Sequence, residues 1–206
     1  MTISDYTDLL VTCSEYSGRD DFTHMFPRFV SFAESKLNKA LRVADMEKIV
    51  VLTTNTDGEA ALPPDYQEIR EVLTPSRKPI ELMSITAIDD LYRLGGGVPS
   101  AYTIIGRTFY AVPLAAQEFY VTYYAMIPPL TPANPTNWLL EDGPLIYLYG
   151  VLAEIEGWAM ATGKTSDRAR RDAASEMMAG ELDAFKILDE RRRWSNARVV
   201  VRGTTP

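Results

Sequence analysis

Two side chains in this sequence carry donors that chemistry favours, His24 and Cys13, and there is one of each. A lone imidazole and a lone thiol cannot assemble the nitrogen–sulfur ligand sets of zinc sites, nor an internal disulfide. His24 stands near a helix start and reads as a packed or solvated residue. Cys13, at helical spacing from Leu9 and Leu10, reads as a small core residue. No Gly-x-Ser-x-Gly elbow occurs to hold a hydrolase nucleophile. Gly157-Trp158-Ala159-Met160-Ala161-Thr162-Gly163-Lys164-Thr165 imitates a P-loop but places five residues where four are required. It also ends an amphipathic pattern instead of following a buried strand, so Gly163 and Thr165 read as the end of one helix and the cap of the next. Gly95-Gly96-Gly97 reads as a connection and not a phosphate cradle. The carboxylates Glu154, Glu156, Asp89 and Asp90 are neighbours that do not share a helix face, and nothing marks a proton-transfer pair. The expectation is no enzyme, no cofactor and no metal; a carboxylate-based hydrolase is the one catalytic alternative that survives.

One charged feature remains. Arg191, Arg192 and Arg193 end the last predicted helix, and Arg198 and Arg202 flank Val199, Val200 and Val201. Cations at a helix C-terminus complement its dipole by about 0.3–1 kcal/mol each, which explains the triplet by itself. A β-prone basic tail in a protein of net charge −7 also suits docking onto a partner by strand addition or by charge. The acidic balance disfavours nucleic acid as a ligand of the whole surface. No apolar run approaches the roughly 18–20 residues of a membrane helix, and Met1–Asp5 lacks the pattern of a signal peptide. The expectation is a soluble chain with no membrane partner.

The elements that hold these residues follow from periodicity. Apolar spacing predicts a helix over 4–16, capped by Ser4 or Asp5 and closed by Gly18, and another over 25–42 with Pro27 in its first turn. From 47 the pattern turns β. Strands are predicted at 48–53, 60–62, 66–73, 79–85, 101–105, 108–112 and 117–126, with a turn at Asn55–Gly58 and a tight hairpin at Gly106-Arg107. The segment 66–73 would also tolerate a helix, and Thr86–Leu94 reads as one or two helical turns. Pro128, Pro129, Pro132 and Pro135 forbid a regular element over 128–137. A helix over 143–161 follows, capped by Asp142, with Leu145, Leu148, Tyr149, Leu152, Ile155, Trp158 and Ala159 on its apolar face. The last helix runs from Thr165 or Ser166 to Trp194 and is expected to bury Ala169, Ala173, Met177, Leu182, Phe185 and Leu188.

The fold class is therefore α+β: a helical bundle from N- and C-terminal helices with a β-rich central insertion. As one domain over 1–206 it divides into a helical core (1–46 and 138–194), a β-rich segment (47–127), a Pro-rich linker (128–137) and a tail (195–206).

Several stretches, in order, resemble the head–tail connector or adaptor proteins of tailed bacteriophages. They are Phe29–Glu34 with Leu41-Arg42, Leu62–Tyr66 and Glu68–Arg70, then Pro99–Tyr102 and Gly106, then Tyr123-Tyr124, Pro128–Leu130, Thr136–Leu140 and Pro144–Tyr149. The resemblance covers about residues 5–190. It implies a virion protein made in the host cytoplasm that forms a ring, usually of twelve copies, beneath the portal protein. The genome would pass through the ring without specific binding, and a tail, stopper or nozzle protein would dock below it. By the same resemblance Arg191–Thr205 is the portal-docking candidate, and 47–127 would face neighbouring subunits or the tail. An acidic lumen would repel DNA phosphates. Tyr120, Tyr123, Tyr124, Tyr147 and Tyr149 suit either an interface or the subunit's own core. A mostly β gatekeeper or terminator ring protein is the structural alternative.

Overall fold

The computed structural model describes residues 3–19, 21, 23–87, 97–163 and 168–194. Among these the order is α1 (Tyr6–Ser17), α2 (Phe26–Ala40), β1 (Glu47–Thr53), β2 (Glu59–Ala61), β3 (Tyr66–Leu73), β4 (Glu81–Leu82), β5 (Ala101–Ile105), β6 (Thr108–Val112), β7 (Glu118–Ala125), α3 (Trp138–Asp142), α4 (Pro144–Ala161) and α5 (Arg168–Trp194). The mixed class, with helices at both ends and strands between, is as the periodicity predicts. Two compact units result, Met1–Asp45 with Ile127–Pro206, and Met46–Met126.

The first unit is helical. The Asp5 carboxylate accepts the amide protons of Thr7 (2.8 Å) and Asp8 (2.9 Å), satisfying two of the donors that a helix start leaves open. Gly18 closes α1 in the left-handed region, at φ +62°. Pro27 sits in the first turn of α2, where its missing N–H costs nothing. Helix α4 is the central member and packs on α1, α2 and α5. Ile146, Tyr147, Leu148, Val151, Ile155 and Ala159 are buried along it. At Gly150 the approach is closest: a Cβ there would lie 3.2 Å from Met178 Sδ and 3.4 Å from the Ala33 Cβ.

The second unit is a small two-sheet β structure. One sheet has the order β1-β7-β3, antiparallel; the other runs β2-β6-β5-β4, with β4 parallel to β5. Residues of every strand but β4 point into one core that includes Leu52, Val72, Tyr102, Phe109, Phe119, Val121 and Tyr123. Phe109 is its centre, 5.4 Å from the Tyr102 ring and 5.3 Å from the Phe119 ring. The ambiguous 66–73 segment is a strand, with bulges at Tyr66/Glu68 and Ile69/Glu71. Pairing with β7 decides what local propensity left open.

Four expectations need correction. Strand 79–85 shrinks to Glu81–Leu82, since Pro79 offers no N–H, and Ile85–Ala87 turn helical. The short helix α3 lies in a stretch read as leading directly into the 143–161 helix: Asn137 Oδ1 accepts the Leu140 amide at 2.8 Å and starts it early. Asp142 is consequently inside α3, and Gly143 is the residue before α4, with no side-chain cap. The buried face of α5 is Ala174, Leu182, Phe185 and Asp189, one position out of phase with the prediction at several places. Ala169, Ala173, Met177 and Leu188 are exposed instead. On α4, Leu145 is exposed and Tyr149 and Leu152 are half-buried. Residues 88–94, Gly95 and Gly96, and Thr165-Ser166 lie outside the described residues.

The crossing at Gly150 yields a prediction. Gly150→Val adds three carbons to the close crossing of α4 with α2 and α5, where a Cβ alone would already press on Met178 Sδ. The expected loss is roughly 1–3 kcal/mol in urea unfolding, as for other overpacked cores. The same change at Gly180, where a Cβ meets nothing within 4 Å, should be neutral or stabilise by a few tenths of a kcal/mol, because valine outranks glycine in helix propensity.

Candidate docking site at the end of the last helix

Helix α5 reaches its basic end through a buried acid. Asp189 is 7% exposed, and its Oδ1 accepts the Ala44 amide at 3.0 Å while its Oδ2 accepts from Arg193 Nε at 2.7 Å. This anchors the last turn of α5 to the segment after α2. Arg193 is therefore turned inward and half-buried. Arg192 Nη1 lies 3.6 Å from Asp142 Oδ2, an exposed pair of little energetic weight. Arg191 points to solvent, and Trp194 is 72% exposed at the helix end. Of the predicted docking residues, the structure brings Arg191 and Arg192 to an open surface beside Trp194, and assigns Arg193 to the fold. Arg198, Val199, Val200, Val201 and Arg202 lie outside the described residues.

A second polar centre holds the proline-rich connection. Prolines leave this stretch short of N–H groups, and side chains of the helices bond what remains. Glu34 Oε1 accepts the Leu130 amide at 2.7 Å and the Tyr147 hydroxyl at 3.2 Å. Asn137 Nδ2 donates to Tyr147 Oη and to the Pro128 carbonyl, both at 2.7 Å. Asn38 Oδ1 accepts from Ile127 N at 2.8 Å, and Tyr6 N donates to the Pro135 carbonyl at 2.7 Å. Burial pushes the Glu34 carboxyl above its usual range, against the lowering effect of its two donors. Burial, and then the Glu34 charge, raises the Tyr147 and Tyr6 hydroxyls. The signal for this centre was a carboxylate inside an apolar stripe, Val30-x-x-Ala33-Glu34-x-x-Leu37.

In the β unit Asp65 plays a comparable part. Lys48 Nζ donates to it at 2.7 Å and Tyr123 Oη at 3.0 Å. Burial raises the Asp65 carboxyl, but the Lys48 and Tyr123 hydrogen bonds and the Lys48 charge outweigh it, leaving it lowered. Burial and then its bond to Asp65 push the Tyr123 hydroxyl up to about 12. Arg107 Nη2 clasps the Pro63 and Pro64 carbonyls at 2.8 Å each. Tyr123 and Tyr147 are thus core residues, and Tyr120, Tyr124 and Tyr149 are half-buried.

Burial pushes the Cys13 thiol up to about 12, far from a thiolate nucleophile. His24 is exposed in a short turn, Thr23–Met25. Among the described residues no group of His, Cys, Asp and Glu could hold a metal ion. No described helix is long and apolar enough to cross a membrane.

The first unit is thus a helical bundle with polar side chains tying its proline-rich connection in place, and the second is a β-rich insertion in the chain. The family model described as SU10 adaptor protein matches residues 4–202. The chain belongs to that family and is a bacteriophage adaptor, a structural component of the virion. No curated protein matches its sequence. Several residues of the polar centres, Glu34, Pro63–Asp65, Pro128–Leu130, Asn137 and Tyr147, fall within the stretches that carry the resemblance.

Two predictions follow from the polar centres. A carboxyl raised by folding contributes stability that is full below its ordinary value of 4.5 and lost as pH rises through the folded value. Glu34→Gln keeps an acceptor for Leu130 and Tyr147 but does not ionise. Its stability should match the wild type near pH 4.5 and exceed it increasingly toward neutrality, in urea midpoints taken across that range. A constant offset would show that Glu34 is not the titrating group. Asp189→Ala should cost roughly 1–3 kcal/mol by orphaning the Ala44 amide, measured as the shift in urea midpoint.

Proposed function

We propose that this adaptor forms a ring beneath the portal protein of a tailed phage, extends the DNA channel, and docks the tail, stopper or nozzle below. The observation that carries the reading is the adaptor family match over residues 4–202. The helical core (1–46 and 138–194) would line the ring side by side, and the β-rich segment (47–127) would present a platform to neighbours or to the tail. The tail 195–206, continuing from the exposed Arg191, Arg192 and Trp194, would reach the portal. A twelve-fold ring suits the family resemblance. DNA would pass without specific binding, consistent with the net charge of −7.

Particle mass tests this. Mixing the chain with the portal protein of the same genome should give a ring-sized mass gain in mass photometry. Deleting 195–206, which leaves α5 whole, combined with Arg191→Glu and Arg192→Glu, should abolish the gain while the thermal melt stays unchanged. A portal that gains no mass from the wild-type chain at any salt concentration would sink the portal-binding role. A gain that survives the variant would move the anchor elsewhere.

A further inference from the structure

The residues of α5 that should have been buried and are not form a surface of their own. Ala173, Met177, Gly180, Ala184 and Ile187 alternate by four and three along the face opposite Ala174, Leu182, Phe185 and Asp189. With Leu188 beside them they are open to solvent: Met177 is 52% exposed, Ile187 49% and Leu188 51%. Alternation by four and three is the spacing of a seam that another helix covers. A groove of about 310 Å³ lined by Tyr16, Tyr149, Leu152, Ala173 and Met177 continues the apolar surface at one end. Gly180 lies in mid-helix, where glycine is costly relative to alanine. A Cβ there would meet nothing within 4 Å, so no packing inside this chain calls for it.

Charge decides what covers the face. One rim carries Glu176, Asp183 and Glu190, seven residues apart and all exposed; Asp183 also has Lys186 Nζ at 4.0 Å. Glu181 lies on the opposite rim. Two such faces brought together would set carboxylates against carboxylates, which disfavours a symmetric pair. The outer face of α2 is the complement. Arg28, Phe32, Ser35 and Lys39 repeat the four–three–four spacing, all are exposed, and Phe32 is 52% exposed between the cations. Lys36, beside them, is joined to Glu154. The lengths agree as well. The apolar stripe stops before Arg191, so its run from 173 to 188 spans about 22 Å, as do the 15 residues of α2.

We propose that the outer face of α2 in a second copy of this chain docks on the outer face of α5, with Phe32 seated over Gly180 between Met177 and Ala184. Arg28 and Lys39 then face the row Glu176, Asp183 and Glu190. The two surfaces differ, so the contact is head-to-tail and repeats from copy to copy until rotation closes it. The inference names the contact between subunits within the ring proposed above and rests on that reading.

The test uses two full-length variants, one with Glu176→Lys, Asp183→Lys and Glu190→Lys, the other with Arg28→Glu and Lys39→Glu. Each is measured by mass photometry alone and on the portal of the same genome, with thermal melts to establish folding. Each variant by itself should lose assembly at least tenfold. Mixed together they should regain it, because the basic α5 face of one meets the acidic α2 face of the other, and at the next junction an unaltered acidic α5 face meets an unaltered basic α2 face. Assembly untouched by either reversal would overturn this contact and leave the ring standing, as would mixed variants that stay apart. If the α5 variant still self-assembles but no longer binds the portal, the face belongs to the portal and the proposal falls. A wild-type chain that assembles under neither condition removes the ring itself.

Discussion

The helical unit depends on one buried carboxylate. Glu34 sits on the apolar face of α2, where an unpaired charge would be prohibitive, and it is tolerated because Leu130 and Tyr147 both donate to it. Those donors come from the proline-rich connection and from the central helix α4, so one acceptor ties three segments that are distant in sequence. Tyr147 in turn accepts from Asn137, which also starts α3 and binds the Pro128 carbonyl. Remove the acceptor and a backbone amide and a buried hydroxyl lose their partners together. The network specifies where the connection lies; apolar packing alone, being non-directional, would not.

The same device recurs with different residues. Prolines at 63, 64, 128 and 129 cannot join ladders, so the chain around them is held by side chains: Arg107 on the Pro63 and Pro64 carbonyls, Asn137 on Pro128, Asn134 on Pro129. Asp65 and Asp189 each bind two donors from separate elements. Each is engaged by structural donors, and the Cys13 thiol is sealed away.

Local signals made the elements legible. Asp5 and Gly18 bracket α1, Pro27 opens α2, Pro144 opens α4, and Gly106, at φ +62°, turns the β5–β6 hairpin. The 66–73 segment could not be decided locally, because Gln67-Glu68-Ile69-Arg70-Glu71 suits either period and its pairing with β7 is non-local. The polar centres were hidden for a related reason. Glu34, Asp189 and Tyr147 bond partners 96, 145 and 113 residues away, and Asn137 joins its local cap on Leu140 to the Pro128 carbonyl nine residues back. Of the basic end, the sequence showed the cluster but not its division: only burial of Asp189 reveals that Arg193 belongs to the fold while Arg191 and Arg192 face outward.

The misplaced face of α5 has a different origin. Periodicity reports that a stripe is apolar, not what covers it, and a helix with two apolar faces satisfies the pattern in either phase. Leu182 and Phe185 belong to the face the subunit buries. Ala173, Met177 and Leu188 belong to the one it leaves open. A monomeric protein has little reason to keep leucine, isoleucine and methionine in a continuous exposed row, with glycine in the middle of a 27-residue helix. A subunit that completes its core against its neighbours does. On the contact proposed above, Ala173, Met177 and Leu188 fit the helical pattern because a second copy would cover them.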